Sequence, residues 1–267
     1  MLTGLLNGLK IDAGAAQKGP DYFCPNCHGA VILRKGRIVA HNFSHKPPTS
    51  CSWAVGETQE HLAAKLLLRD AYRMMGYQAD YEVVVLSSGG DRRADVYVIS
   101  PDGGLTFAIE VQHTPILYDA IEKRTVAYMA VNVPVMWLGI LGGKMRETAE
   151  RTQSGLIIRQ YPIRPWEKWA QALCFGELWY IDPVEESLWK GRFSDHLIDV
   201  PSSSWYGEGG EEMSAGGYSR KSKRWRTLHL EGPFRVHEVN EVTKWRRPWT
   251  SSAFNLPGGH FASFEKR

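Results

Sequence analysis

Apolar and polar positions recur with two different periods along this chain, and the changes of period mark its elements. Between Gly56 and Tyr77, the residues Leu62, Leu66, Leu67, Tyr72 and Met74 or Met75 recur at helical spacing. Glu57 and Glu60 lie in the first turns, where the helix dipole favours carboxylates, and Gly76 is a natural stop. The period then shortens. Residues 81–86, 93–99 and 105–114 read as three strands, and Ser100-Pro101-Asp102-Gly103-Gly104 is a strong turn signal between the last two. A second helix is predicted over 116–131, closed by Asn132 and Pro134, and a continuous apolar run over 134–141 reads as a buried strand. Helix, three strands, helix, strand implies an antiparallel meander followed by a parallel crossover.

On either side the pattern is weaker. Residues 1–53 are short apolar pieces broken by Gly and Pro. Within them, YFCPNCHGAVILRKGRIVAHNF suggests a knuckle followed by a hairpin turning at Lys35-Gly36. After residue 142, PWEKWAQALCFG reads as a short helix and LWYIDP and SLWKGRF as strands. The Gly/Ser-rich residues 202–219 read as a mobile loop. Three regions follow: an N-terminal segment 1–53, a core 54–142 and a C-terminal extension 143–267.

Composition narrows the class. A net charge of +3 leaves any polyanion-binding surface to local clusters. No apolar run is long enough for a membrane span, and the N-terminal residues lack the basic and apolar regions of a secretory signal, so a cytoplasmic protein without a membrane partner is expected. In that setting the uneven cysteines point to metal before disulfides. Cys24 and Cys27 form a CxxC, followed by His41, His45 and Cys51. Two zinc tetrads fit: Cys24, Cys27, His45 and Cys51, or Cys24, Cys27, His41 and His45. The first is preferred because it uses a third thiolate and does not need a histidine helix ahead of Pro47-Pro48. The role expected of the zinc is structural, since so small a segment has little core.

The turn near Gly103 permits a geometric count. With Asp102-Gly103 as a two-residue turn, Asp95 lies opposite Glu110; with Gly103-Gly104, it lies opposite Gln112. Either places the three side chains on one face, with opposed Cβ atoms about 4.5–5.5 Å apart. Facing carboxylates on such apolar strands repel one another, and a divalent cation relieves the conflict; oxygen ligands select Mg²⁺ or Mn²⁺. Basic residues cluster at Arg34, Lys35 and Arg37, at 220–226 including Arg224 and Arg226, and at 244–247. Each could follow a phosphate backbone.

The strings Arg93-Ala94-Asp95-Val96 and Ile109-Glu110-Val111-Gln112 resemble the paired motif of PD-(D/E)XK nucleases, and more narrowly the CoiA-like competence protein family. The resemblance extends over residues 1–142 through Cys24-Pro-Asn-Cys27, Asn42-Phe-Ser-His45, Glu60-His61 with Lys65, Arg124, Tyr128 and Met136-Trp137-Leu138. It implies an α/β restriction-endonuclease-like αβββαβ core after a zinc-ribbon-like segment, and the residues beyond it are expected to form a mixed extension. It also implies DNA, single-stranded DNA included, as substrate. Asp95, Glu110 and Gln112 would be catalytic. Asp95 and Glu110 would bind Mg²⁺, with Glu60, or Glu57 in its place, as a further ligand. Gln112 would orient the water and His61 would meet a phosphate or the leaving oxygen. Lys65 and Arg93 join the candidate DNA contacts. The chain departs from the wider superfamily at Gln112, where a lysine is usual; Gln carries no charge and is no base. An accessory DNA-binding protein that keeps the fold without cleavage is the alternative.

Overall fold

The computed structural model describes residues 1–36, 40–54 and 56–267. Arg37, one of the candidate DNA contacts, lies outside them. The first part of the chain is a five-stranded sheet: β1 (Thr3–Leu6), β2 (Leu9–Asp12), β3 (Tyr22–Phe23), β4 (Ala30–Arg34) and β5 (Asn42–His45), in the order β2-β1-β3-β4-β5. The hairpin differs from expectation. Arg34 pairs with Asn42, a register that does not place a two-residue turn at Lys35-Gly36. The register puts Val31, Leu33 and Phe43 into a small core with Tyr22 and Cys24.

The helix α1 (Gln59–Met74) begins where Thr58 takes extended backbone and its hydroxyl accepts the His61 N–H at 3.2 Å. Gly76, at φ +86°, follows its end. Strands β6 (Gln78–Val85), β7 (Arg92–Ile99) and β8 (Thr106–Gln112) form the meander; α2 (Tyr118–Met129) crosses over to β9 (Val135–Ile140), which pairs parallel to β8. One sheet face carries α1, through Ala64, Leu68 and Tyr72 against Val96, Val98, Phe107 and Ile109. The other carries α2, through Ile121 and Tyr128 against Ala108 and Trp137. Both faces of β8 and β9 are therefore buried, which is why these strands read as continuous apolar runs.

Residues beyond 142 extend the same sheet. After α3 (Gly143–Thr148), β10 (Glu150–Thr152), β11 (Gly155–Tyr161) and α4 (Pro165–Leu173), strand β12 (Leu178–Asp182) pairs parallel to β9, and β13 (Ser187–Val200) antiparallel to β12. The hairpin β14 (Ser203–Tyr206) and β15 (Glu212–Ala215) leads to β16 (Tyr218–Phe234), which pairs with both β13 and β11. The nine-stranded order is β10-β11-β16-β13-β12-β9-β8-β7-β6. Tyr180 on β12 fits because it lies between two glycines: a Cβ on Gly139 or Gly191 would come within 2.5 or 2.6 Å of its ring. Strands β17 (Val239–Arg246), β18 (Trp249–Thr250), β19 (Asn255–Leu256) and β20 (Gly259–Lys266) finish the chain, with Val239, Ala262 and Phe264 in the α1 core and Leu256 and Phe261 in the α2 core. The expected mobile loop at 202–219 is corrected: Ser203–Tyr206 and Glu212–Ala215 are paired strands, with Trp205 across from Met213. Its Gly and Ser content hid a short alternating hairpin. Among the described residues, no helix is long and apolar enough to cross a membrane.

Candidate active site and metal cluster

The register of β7 against β8 is that of the Asp102-Gly103 count: Val96 pairs with Ile109, which places Asp95 and Glu110 at the next step. The ladder stops there, and the two side chains part company. Ala94 belongs to the α2-side core and Val96 to the α1-side core, although both are even-numbered. The strand therefore changes face across Asp95. Strand β6 changes face at the neighbouring position, where Glu82 has φ +57°. In consequence Asp95 meets α1, whereas Glu110 and Ala108 face α2. The shared face expected for Asp95, Glu110 and Gln112 is thus split by a twist that strict alternation does not contain.

Asp95 is fixed from two sides. The Val111 N–H donates to its Oδ2 at 2.9 Å, and His61 Nε2 lies 3.1 Å from the same oxygen. On the other edge of the imidazole, Glu57 Oε1 is 3.4 Å from His61 Nδ1, a buried atom without a hydrogen-bond partner. Glu57, His61 and Asp95 bring one ligand atom each within 4.8 Å of one another. Two carboxylates and an imidazole suit a divalent cation such as Mn²⁺ or Mg²⁺.

Beneath this triad, Lys65 is fully buried. Its Nζ lies 2.6 Å from Glu57, 2.9 Å from Glu82 and 3.9 Å from Asp95. Its pKa is raised: burial opposes the charge, but Glu82, Asp95 and Glu57 outweigh it. Asp95 and Glu57 are held well below the ordinary carboxylate range; burial pushes them up, and the neighbouring His61 and Lys65 charges more than reverse it. Glu82 also accepts the backbone N–H groups of Leu2 (2.8 Å) and Thr3 (3.0 Å), which ties the N-terminal sheet to the core.

Glu110 is equally buried, but its oxygens serve α2: Arg124 donates to one and the Tyr128 hydroxyl to the other, the latter at 2.5 Å. Burial raises Glu110 to about 6, partly offset by Arg124. Glu110 thereby holds the Arg124 guanidinium at the wall of a cleft of about 390 Å³, which Trp53, Glu57, His61, Arg93, Asp95 and Gln112 also line. The Gln112 amide is turned onto the Thr114 carbonyl at 2.5 Å. Arg93 lies over the Trp53 ring at 4.5 Å and within 3.8 Å of Glu57.

Some expected residues lie elsewhere. Glu60 faces away from the triad, toward Arg146 at 3.9 Å, because it lies one residue before His61 on the helix and therefore on another side; Glu57 takes the inward position. Arg34, Lys35, Arg224 and Arg226 do not line the cleft. Two site residues carried no sequence signal of their own. Glu82 looks like one more residue of an alternating strand until its positive φ turns it to Lys65. His113, stacked on His61 with ring centroids 4.4 Å apart, lies just past the predicted motif. Burial and the His61 charge lower its pKa to about 4.

His61 gives a pH-dependent expectation. Burial lowers its pKa, but Asp95 and Glu57 overcome this and set it at about 9, against about 6.5 in an unfolded chain. A raised pKa stabilises the fold fully below about 6.5 and loses that contribution as pH rises through 9. The contribution is on the order of 3 kcal/mol. Urea midpoints of the metal-free protein should therefore fall between pH 6.5 and 9, and His61→Gln should flatten the profile.

A second cluster lies in the N-terminal sheet. The ligand atoms of Cys24, Cys27, His45 and Cys51 are within 4.8 Å of one another. Cys24 and Cys51 sulfurs are 3.9 Å apart, and Cys27 Sγ is 3.4 Å from His45 Nε2. A tetrahedral zinc with bonds of about 2.3 Å to sulfur and about 2.0 Å to nitrogen sets edges of about 3.8 and 3.5 Å. The N–H groups of Asn26, Gly29 and Trp53 donate to Cys24, Cys27 and Cys51 at 3.3–3.4 Å, as thiolates in metal knuckles require. His41, the alternative ligand, instead has Nε2 3.2 Å from the Gly36 carbonyl. Trp53, two residues after Cys51, is the residue that stacks on Arg93, so the cluster adjoins the cleft wall.

These two features agree with what the chain is similar to. A family model for the competence protein CoiA N-terminal domain matches residues 9–54, and one for the CoiA nuclease-like domain matches residues 57–175. No curated protein and no solved structure matches the chain. The first match covers the Cys/His cluster and the second covers Glu57, His61, Asp95 and Glu110, and together they span well over half of the sequence. The chain belongs to the CoiA competence protein family.

Proposed function

We propose that this protein is a metal-dependent deoxyribonuclease with a PD-(D/E)XK core, hydrolysing internal phosphodiester bonds of DNA. The observation that carries the reading is the triad of Glu57, His61 and Asp95, which lines a cleft in a nuclease-like domain. Glu57, His61 and Asp95 would hold the cation. Its donor set fits once the cation displaces the His61 proton, since Nδ1 is a buried ring nitrogen with no hydrogen-bond partner. A bound Mg²⁺ or Mn²⁺ supplies positive charge that lowers the pKa of water and offsets charge on the phosphate. The Val111 N–H keeps Asp95 aimed at the cleft. Arg124, held by Glu110 and Tyr128, meets a phosphate oxygen from the cleft wall. Arg93, braced on Trp53, meets a second one. Gln112 orients water without taking its proton. In this reading Glu110 positions Arg124, where the sequence motif suggested a direct metal ligand.

The test is cleavage of single-stranded, duplex and branched DNA with and without Mg²⁺ or Mn²⁺. Absence of cleavage for every form and both metals overturns the reading.

One observation favours the accessory reading, in which the fold binds DNA without cutting it. Lys65, His61, Arg93 and Arg124 already neutralise the buried carboxylates. A site balanced without metal has less need of one. That reading expects binding without cleavage and no tightening by divalent cations.

For the Cys/His cluster we propose structural zinc. The purified chain should carry one zinc, and Cys51→Ala should lose it, as read by elemental analysis. The loss should also unfold residues 1–54 locally, read as new protease cleavage there, because metal binding supplies folding energy to so small a core. A Cys51→Ala protein that retains a full equivalent of zinc rules out this ligand set.

A further inference from the structure

The long strands β13 and β16 do not end with the sheet. Strand β12 ends its pairing with β13 at Leu178–Gly191, yet β13 and β16 stay paired to Val200–Tyr218. The excess forms a two-stranded ribbon, exposed along most of its length and capped by the β14–β15 hairpin. Because β13 runs antiparallel to β12, the ribbon leaves from the amino ends of β8, β9 and β12. The cleft lies at their carboxyl ends. Counting strands at about 4.8 Å and residues at about 3.4 Å separates the two by roughly 25–30 Å.

The ribbon carries a built irregularity. Asp195 pairs with Arg226, but Leu197 pairs with Lys221, so residues 222–225 loop out of β16. The Ser222 hydroxyl accepts the N–H groups of Arg224 (3.3 Å) and Trp225 (2.9 Å). Arg226 closes the base, donating to the Ser222 and Trp225 carbonyls at 2.9 and 3.0 Å. The loop therefore presents Lys223 and Arg224 in a fixed pose, with the Arg224 guanidinium 4.4 Å above the Trp225 ring. Charge is segregated. Five cations lie within residues 220–226 of β16, and that stretch holds no carboxylate. Lys221 and Arg226 are engaged by Asp195. Arg220, Lys223 and Arg224 are exposed and have no carboxylate partner among the described residues.

We propose that this ribbon is a second nucleic-acid contact, in which Arg220, Lys223 and Arg224 grip the phosphate backbone of a duplex away from the cleft. It rests on the reading of nucleic acid as the partner. A two-stranded ribbon has the width that a duplex major groove, about 12 Å across, admits. A guanidinium stacked on an indole keeps its donors free while losing little freedom on binding. The acidic tip residues Glu208, Glu211 and Glu212 would be repelled, so contact is confined to the loop and the strand below it.

The experiment uses the full chain carrying Asp95→Asn, without divalent metal, so that no cleavage intervenes. Binding of a labelled 20-base-pair duplex is followed by anisotropy between 50 and 200 mM KCl. Substituting Arg220, Lys223 and Arg224 together with alanine should weaken binding by about tenfold or more and reduce the logarithmic salt slope by about 2–3, one phosphate contact per lost charge. A charge-matched control, Lys18→Ala with Lys144→Ala and Lys168→Ala, should change little. If the parent binds and the ribbon triple variant binds equally well with the same slope, the ribbon is not a contact, and the nuclease reading stands. If the parent binds no duplex even at 50 mM salt, the ribbon contact fails, and cleavage of the three DNA forms decides the nuclease reading separately. Ribbon-dependent binding to phosphatidylserine vesicles but not to duplex overturns the proposal in favour of an anionic surface.

Discussion

Asp95→Ala is expected to remove metal-dependent cleavage, lowering the rate by at least about a thousandfold, on the order of 4 kcal/mol in the barrier. Asp95 is the residue on which the site converges: its Oδ2 takes both the Val111 N–H and the His61 ring, and its Oδ1 is 3.9 Å from Lys65. Without it, Glu57 and His61 remain as two ligands, and His61 loses the neighbour that most raises its pKa. Alanine also leaves the Val111 N–H without its acceptor, so a folding defect must be separated from a chemical one. Asp95→Asn keeps an oxygen for that N–H and removes only the charge. Both variants should still bind DNA in the absence of metal, while Mn²⁺ affinity by calorimetry should fall at least about tenfold. Wild-type cleavage rates in Asp95→Asn would show that the triad is not the catalytic centre. Glu110→Ala is expected to act differently. It frees Arg124 and Tyr128, so its cost should fall on substrate binding as well as turnover, whereas a direct ligand would chiefly lose metal.

Lys65→Met is expected to destabilise the fold by about 3–5 kcal/mol, the range for breaking a buried ion pair from one side. Lys65 has no exposed surface, and Glu57 and Glu82 lie within 2.9 Å of its ammonium. Methionine fills the stem's space but leaves those carboxylates without their central cation. Arg93 remains 3.8–4.0 Å from both and compensates only in part. A thermal midpoint lowered by about 10 °C is the corresponding shift for a chain of this size. Divalent metal should recover part of the loss, because a cation on Glu57 and Asp95 replaces some of the missing charge. A Lys65→Met protein as stable as the parent would mean that Glu57 and Glu82 protonate at little cost, and the picture of a charge-balanced floor beneath the triad would be wrong.

The order of elements in the core was legible because each has a dominant period. The helical spacing of Leu62, Leu66 and Tyr72 and the turn signal over residues 100–104 need no tertiary information, and of the two registers that the turn allows the observed one is that of Asp102-Gly103. CxxC followed by His45 and Cys51 was legible for a similar reason, since short loops and a hairpin can join ligands close in sequence. The 202–219 segment forms a hairpin where its composition predicts a loop, because Gly and Ser outweigh a four-residue alternation on each side of a turn.

What the sequence by itself determined is which side chains lie near the carboxyl end of β8: Asp95 across from Glu110 or Gln112, with His61 and Lys65 one turn apart on α1. Which of them share a metal-sized space was decided only by the tertiary structure. The twist at Glu82 and Asp95 turns one carboxylate toward α1 and leaves Glu110 with α2, so Glu57 completes the triad in place of Glu60 and Glu110. Local patterns encode parity along a strand and phase along a helix. A change of face needs packing on both sides of the sheet to hold it, and here that packing is supplied by Lys65 beneath one face and by Arg124 and Tyr128 on the other.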